Sequence, residues 1–165
     1  MPQIKNVYRE SLPALRLIGK RYTDMDRGPL GGFGLKWDEW FQRGYHIPLF
    51  QLGPIVESAF IGCMRHNEGL EYWTGMFFPE NTPVPENYQS IDIPMGDIGV
   101  CWLHGRAASG ELYGEHIHVL CVNKFMEAGW QIADNSWFFE RYVNPRFSKP
   151  DEEGKVILDY CVYLK

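Results

Sequence analysis

Apolar positions along this chain change their spacing several times, and each change marks an element. Over residues 7–22, Leu15, Leu17 and Gly19 interleave with Arg16, Ile18 and Lys20, as in a half-buried strand with Pro13 at a bulge or at its start. Residues 23–34 are rich in Asp, Gly and Pro and read as a connector. From 35 to 43, Trp37, Trp40 and Phe41, with Phe33 before them, recur at three and four and predict an amphipathic helix stopped by Gly44. Residues 59–65 and 70–78 predict two strands joined by Asn67, Glu68 and Gly69 as a hairpin. Residues 79–87 hold three prolines and cannot continue a central strand, so they form a joint.

Beyond the joint the order repeats. Residues 90–104 predict a long strand interrupted near Pro94, Met95 and Gly96. Residues 110–128 predict a helix with Leu112, Val119, Val122, Phe125 and Met126 at helical spacing and Gly129 past its end. Short strands follow at 137–142 and 156–164, with a charged loop between them. The chain therefore reads β-α-β-β twice, in half-repeats of roughly 1–80 and 88–165. The expected fold class is α+β: one domain with pseudo-twofold symmetry, an antiparallel sheet, two helices and a ligand pocket where the halves meet.

The stretch 136–142, Ser-Trp-Phe-Phe-Glu-Arg-Tyr, sets one carboxylate among rings. Side chains alternate along a strand, so Phe138, Glu140 and Tyr142 share one face while Trp137, Phe139 and Arg141 share the other. Two readings of Glu140 are open. On a solvated face it pairs with a lysine or arginine, as most strand glutamates do. At the base of an aromatic pocket it is a counter-charge for a greasy cation, placed there against the loss of its hydration.

Composition narrows the classes. The chain has 165 residues, one ordinary domain, and a net charge of −5 with no run of Lys or Arg, which argues against direct nucleic-acid binding. Ten Phe, nine Tyr and six Trp exceed what a core of this size needs. Cys63, Cys101, Cys121 and Cys161 lie far apart without a CxxC pair, so they read as buried reduced thiols and neither as a zinc site nor as a disulfide framework. No apolar leader and no 18-residue apolar run occur, so a cytoplasmic protein with no membrane partner is expected.

Catalytic motifs are missing. There is no HExxH and no GxSxG; the Gly-rich run at 28–34 lacks the Gly-Lys-Ser/Thr ending of a phosphate loop; His116 and His118 are two apart on a helix and face different ways. Ser109 before Gly110 reads as a helix cap, not a nucleophile. No cofactor and no metal are expected.

Several segments taken together carry a resemblance: 12–19 (Leu-Pro-Ala-Leu-Arg-Leu-Ile-Gly), 72–75 (Tyr-Trp-Thr-Gly) followed by 84–86, 93–100 (Ile-Pro-Met-Gly-Asp-Ile-Gly-Val), 139–142 (Phe-Glu-Arg-Tyr) and 158–162. In order and spacing these resemble the GyrI-like family, the effector-binding domain attached to some AraC-type and MerR-type regulators, which also occurs as the DNA gyrase inhibitory protein and as drug-binding proteins on integron cassettes. The resemblance implies a tandem β-α-β-β fold with a hydrophobic pocket, and a glutamate, matching Glu140, as counter-charge to lipophilic cations. The last strand departs from the family's Ile-Pro-Val-like ending, with Cys161, Val162, Tyr163 and Leu164 in its place. With no helix-turn-helix segment in the sequence, DNA binding is not expected; a separate regulator or DNA gyrase is the protein partner that the resemblance implies.

The expected ligand is thus a hydrophobic, cationic small molecule, held by Glu140 and Tyr142, then by Trp102 and Trp73, then by Tyr8 and Phe138. Trp37 and Trp40 on the first helix are wall or core. Two alternatives remain: an interaction inhibitor of the gyrase-inhibitor type, and a hydrolase of strained cyclopropane-type alkylating agents with Glu140 as base. A binding module is preferred over an enzyme because it uses the aromatic surplus directly.

Overall fold

The computed structural model describes residues 1–29, 31–53, 56 and 58–165. Its strands are β1 (Gln3–Leu12), β2 (Leu15–Thr23), β3 (Ala59–His66), β4 (Leu70–Pro79), β5 (Gln89–Ile93), β6 (Gly96–Gly105), β7 (Phe138–Val143) and β8 (Val156–Tyr163); its helices are α1 (Gly34–Gln42), α2 (His46–Gln51) and α3 (Glu115–Glu127). All eight strands form one antiparallel sheet in the order β1-β6-β8-β7-β3-β4-β2-β5.

That order is symmetric about the β7–β3 contact. Outward on one side run β3, β4, β2 and β5; outward on the other run β7, β8, β6 and β1. Each half lends its first strand to the other, since β1 pairs with β6 and β5 pairs with β2. The crossings fall at Pro13 and Pro94, where the missing N–H and fixed φ break the ladder. The alternating stretch 7–22 is accordingly two strands with Pro13 between them, and the hairpin turn at 67–69 is made by Glu68 and Gly69 at positive φ (54° and 105°).

The two faces of the sheet are covered differently. One carries Leu15, Leu17, Ile61, Cys63, Trp73, Phe77, Ile98, Val100, Phe139 and Cys161, a single buried cluster to which every strand contributes and no helix does. Burial without a covering helix requires the sheet to curl over on itself. Two ionic groups close this face. Asp159, fully buried, takes Arg141 Nε at 3.0 Å and also Arg146, while the far end of Arg141 holds Glu10 at 3.0 Å. Glu71 takes Arg21, Arg65 and, at 2.7 Å, the indole N–H of Trp73.

The helices cover the other face, α1 and α2 over the first half and α3 over the second. Helix α2 lies in a stretch where the apolar pattern predicts nothing; its Pro48 is tolerated because it sits in the first turn, and its Leu49 is fully buried. The fold thus has three helices where the pattern predicts two. Helix α3 starts later than expected. Gly114 at φ 111° and Gly110 at φ 76° keep 110–114 out of the helix, and Ser109 bonds back to Arg106 O instead of capping it. Its buried stripe is Ile117, Cys121 and Phe125, so Val119 and Met126, expected inside, lie 50% and 59% exposed. All four cysteines are buried and free. Among the described residues no helix is long and apolar enough to cross a membrane. The connector at 23–34 holds a short 3-10 turn (Asp24–Asp26); Leu30 within it is outside the described residues.

Candidate functional site

Strand β7 lies at the centre of the sheet, and its alternation decides what faces the helices. Phe139 and Arg141 point into the curled face; Phe138, Glu140 and Tyr142 point between the helices. The β3–β7 register sets Met64 opposite Phe138, Gly62 opposite Glu140 and Phe60 opposite Tyr142. On its other side β7 sets Glu140 opposite Tyr160 of β8. The residues around Glu140 are therefore fixed by backbone pairing.

Gly62 makes the room. A Cβ at this position would come within 2.5 Å of Tyr72 Oη and 2.8 Å of Glu140 Oε1. Only a residue without a side chain lets the carboxylate and the phenol meet over β3. Tyr72 Oη donates to Glu140 Oε1 at 3.1 Å and accepts from Trp37 Nε1 of α1 at 2.8 Å. Phe33, just ahead of α1, stacks on the Tyr72 ring at 4.3 Å and 7°. Trp37 also meets Tyr142 edge-on at 5.3 Å.

These side chains wall a cavity of about 1100 Å³ between α1 and α2 on one side and α3 on the other. That is at the upper end of small-molecule sites. Glu140, only 6% exposed, lies on its wall, and among the described residues it has no ion-pair partner. At the Phe138 end stand His66 and His118, rings 5.9 and 4.7 Å from Phe138, with His118 Nδ1 2.8 Å from Tyr160 Oη. Tyr113, from the turn before α3, bonds the Tyr142 hydroxyl. Phe41, Phe50 and Val119, each about half exposed, rim the opening.

Burial raises the Glu140 carboxyl from its ordinary 4.5 to about 7, and hydrogen bonds from Tyr72 and Tyr142 pull it part of the way back. Burial first and the nearby carboxylate second also push the Tyr72 and Tyr142 phenols well up, and Tyr113 to about 12. All three stay protonated near neutrality and can donate. Burial, with His66 nearby, lowers His118, so its imidazole is neutral at pH 7. At that pH no fixed positive charge faces Glu140 across the cavity, and a cation placed there would meet aromatic faces and one carboxylate. No group of three His, Cys, Asp or Glu among the described residues is arranged to hold a metal ion.

Of the side chains expected at a pocket, Glu140, Tyr142 and Phe138 lie on the cavity wall, while Trp73, Trp102 and Tyr8 do not. Strand alternation corrects the latter three. Trp73 follows Tyr72 and so faces the curled side, where its N–H serves Glu71. Trp102 shares a face with Ile98 and Val100; its Nε1 donates to Tyr8 Oη at 3.2 Å and Arg146 stacks on its ring at 4.7 Å. The residues that sequence reasoning passed over are Tyr72, Tyr113, Tyr160, His118 and Gly62. Parity offered a signal for Tyr72, since the aromatic pair 72–73 must split between faces. Gly62 becomes visible only once β3 is paired with β7.

No family model matches the chain, and no curated protein matches it by sequence. Solved structures do. The protein SAV2435, solved bound to tetraphenylphosphonium, is similar over 98% of this chain and 94% of its own, with a TM-score of 0.72 and 15% identity. The EcmrR C-terminal domain is similar over 97% of each chain, with a TM-score of 0.56 and 11% identity. A hydrolase from Listeria innocua is similar over 96% of this chain and 91% of its own, at 0.55 and 8% identity. Identities this low speak for fold alone. With its topology shared from end to end, the chain has the GyrI-like fold.

Proposed function

We propose that the cavity binds a hydrophobic cation and that Glu140 is its counter-charge. The observation that carries this reading is a buried carboxylate on an aromatic wall with no cationic side chain paired to it. A buried charge is normally paired, so the missing partner is most simply the ligand. The tetraphenylphosphonium on the structurally similar SAV2435 is a ligand of that chemistry and supports the reading.

The magnitudes assign roles. Burying about 200 Å² of apolar ligand surface contributes about 5 kcal/mol. A ring facing the charge adds about 0.5–2 kcal/mol. The ion pair at about 4 Å gives at most about 4 kcal/mol at an effective dielectric near 20, before desolvation of the carboxylate is subtracted. Micromolar binding needs about 8 kcal/mol. Apolar contact supplies most of the affinity, and Glu140 selects for positive charge.

The test is a tryptophan-fluorescence titration with tetraphenylphosphonium and with its neutral isostere tetraphenylmethane or a soluble derivative, on wild type and Glu140→Gln. Saturable micromolar quenching by the cation, weakened about tenfold or more in Glu140→Gln while the neutral ligand binds both alike, is the expected result. Equal binding of both ligands by both proteins removes Glu140 from the function.

A second reading is hydrolytic. A carboxyl titrating at about 7 beside tyrosine hydroxyls suits general-base activation of water, as opening of a strained ring would need. Product analysis separates the two, because a binder returns its ligand unchanged.

A further inference from the structure

We propose that Trp37 of α1 sets the charge state of Glu140 through Tyr72, and so fixes the pH range over which the cavity accepts a cation. The argument is one of hydrogen-bond polarity. An indole N–H can only donate. Tyr72 Oη therefore accepts at its 2.8 Å contact with Trp37 Nε1, and its own single proton is free to point at Glu140 Oε1, 3.1 Å away. Phe33 stacked at 4.3 Å holds the Tyr72 ring in place, so the hydroxyl cannot swing to another partner without losing that contact. A proton donated along this line stabilises the carboxylate. Were Glu140 protonated on Oε1, two protons would compete for the same line unless Tyr72 turned its own away.

The other groups around Glu140 lack this one-way arrangement. Tyr142, its neighbour on β7, also bonds Tyr113, so its proton has two acceptors. Tyr160 on β8 has His118 of α3 as its printed partner at 2.8 Å. The remaining titratable or charged side chains on the cavity are His66 on β3, Glu115 on α3, Asp38 on α1 and Arg27, which is paired with Asp24 at 2.7 Å. None of these is recorded as bonding Glu140. Trp37 is thus a positioning residue, remote from Glu140 in sequence and acting on it through one phenol.

The cation part of this inference rests on the binding reading above; the charge state of Glu140 does not, and the experiment separates them. The ¹³C signal of the Glu140 carboxyl is titrated by NMR without ligand in wild type, Trp37→Phe, Tyr72→Phe and the double variant. A wild-type midpoint near the value of about 7 given by burial is expected to rise by about one pH unit in Trp37→Phe. Tyr72→Phe is expected to shift it at least as far, and adding Trp37→Phe to Tyr72→Phe is expected to shift it no further. Tetraphenylphosphonium affinity in Trp37→Phe is then expected to fall about tenfold at pH 6 and to match wild type at pH 9, because only the ionised fraction binds. A loss that is equal at both pH values with an unmoved midpoint is what simple damage to packing gives, and it overturns the proposal. So does a further shift from Trp37→Phe in the Tyr72→Phe background. If Trp37→Phe does not fold, 3-benzothienylalanine at position 37 keeps the bicyclic shape without the N–H and must give the same rise in midpoint. Absence of cation binding by wild type at every pH sinks the binding reading and leaves the NMR midpoints to decide the relay.

Discussion

Gly62 stands directly opposite Glu140 in the β3–β7 ladder, and the space its missing side chain leaves is where the carboxylate meets the Tyr72 hydroxyl. The pairing joins the two halves of the molecule at the strands that form its centre, so the site and the symmetric junction are one feature. Adding a methyl at this position sets it 2.8 Å from Glu140 Oε1 and 2.5 Å from Tyr72 Oη, and neither group has free room to retreat. Gly62→Ala is expected to cost about 1–3 kcal/mol of stability by overpacking, and to weaken tetraphenylphosphonium binding about tenfold or more by displacing the carboxylate. Urea unfolding and ligand titration measure the two effects. Unchanged binding in a folded Gly62→Ala protein would mean that the carboxylate is not held where the cation needs it.

The raised Glu140 carboxyl has a stability consequence whose sign is fixed. Its folded value, about 7, exceeds its unfolded value, near 4.5, so the folded state holds the proton more tightly. The stabilisation from the protonated form is fully present below about pH 4.5 and is lost as the pH rises through 7. About 2.5 pH units correspond to about 3 kcal/mol. Wild type is therefore expected to lose about that much stability relative to Glu140→Gln between pH 4.5 and 8, measured by paired denaturant melts. A constant difference between the two proteins across that range would contradict a desolvated carboxyl.

Cation uptake should release a proton. Near pH 7 about half of the Glu140 side chains are protonated, and a bound cation drives them to ionise. Calorimetric titration at pH 7 in two buffers of different ionisation enthalpy is expected to show about half a proton released per tetraphenylphosphonium, falling toward zero at pH 9. Affinity should rise from pH 5 to 8 and then level off. Buffer-independent heats at pH 7 would place the ionisation elsewhere.

The elements and the face of Glu140 were legible because they depend on local periodicity. Alternation alone puts Phe138, Glu140 and Tyr142 together, and the prolines at 13 and 94 mark where strands change partners. The remainder of the wall depends on pairing between distant strands. Trp73 and Trp102 are large aromatics in central strands, and composition cannot tell the face that curls on itself from the face under the helices, since both are buried. Helix α2 was hidden by its short span and its proline, and the late start of α3 by glycines whose positive φ no pattern of apolar residues reveals.

The two tryptophans give a paired control. Trp73 and Trp102 face away from the cavity, so Trp73→Phe and Trp102→Phe are expected to leave tetraphenylphosphonium affinity within about twofold of wild type. Trp73→Phe should still destabilise the fold by about 1–3 kcal/mol, because buried Glu71 loses its 2.7 Å donor. A large affinity loss in either variant at unchanged stability would return them to the site.

The ionic group behind Glu140 makes the last case. Arg141, one residue along β7 and 1% exposed, points away from the cavity and joins Asp159 at 3.0 Å to Glu10 at 3.0 Å. Removing its charge leaves Asp159, fully buried, with Arg146 alone. Losing one partner of a buried ion pair costs about 3–5 kcal/mol, far more than the pair contributes against an apolar replacement of both. Arg141→Met is therefore expected to destabilise by about that amount, and Arg141→Met with Asp159→Leu by clearly less, because the stranded charge is gone. Neither change touches a side chain on the cavity wall, so the folded fraction of each variant should bind tetraphenylphosphonium with unaltered pH dependence. If the double variant is no more stable than Arg141→Met, the cost does not come from the buried carboxylate of Asp159, and the group would instead act by holding β7 in register with β8.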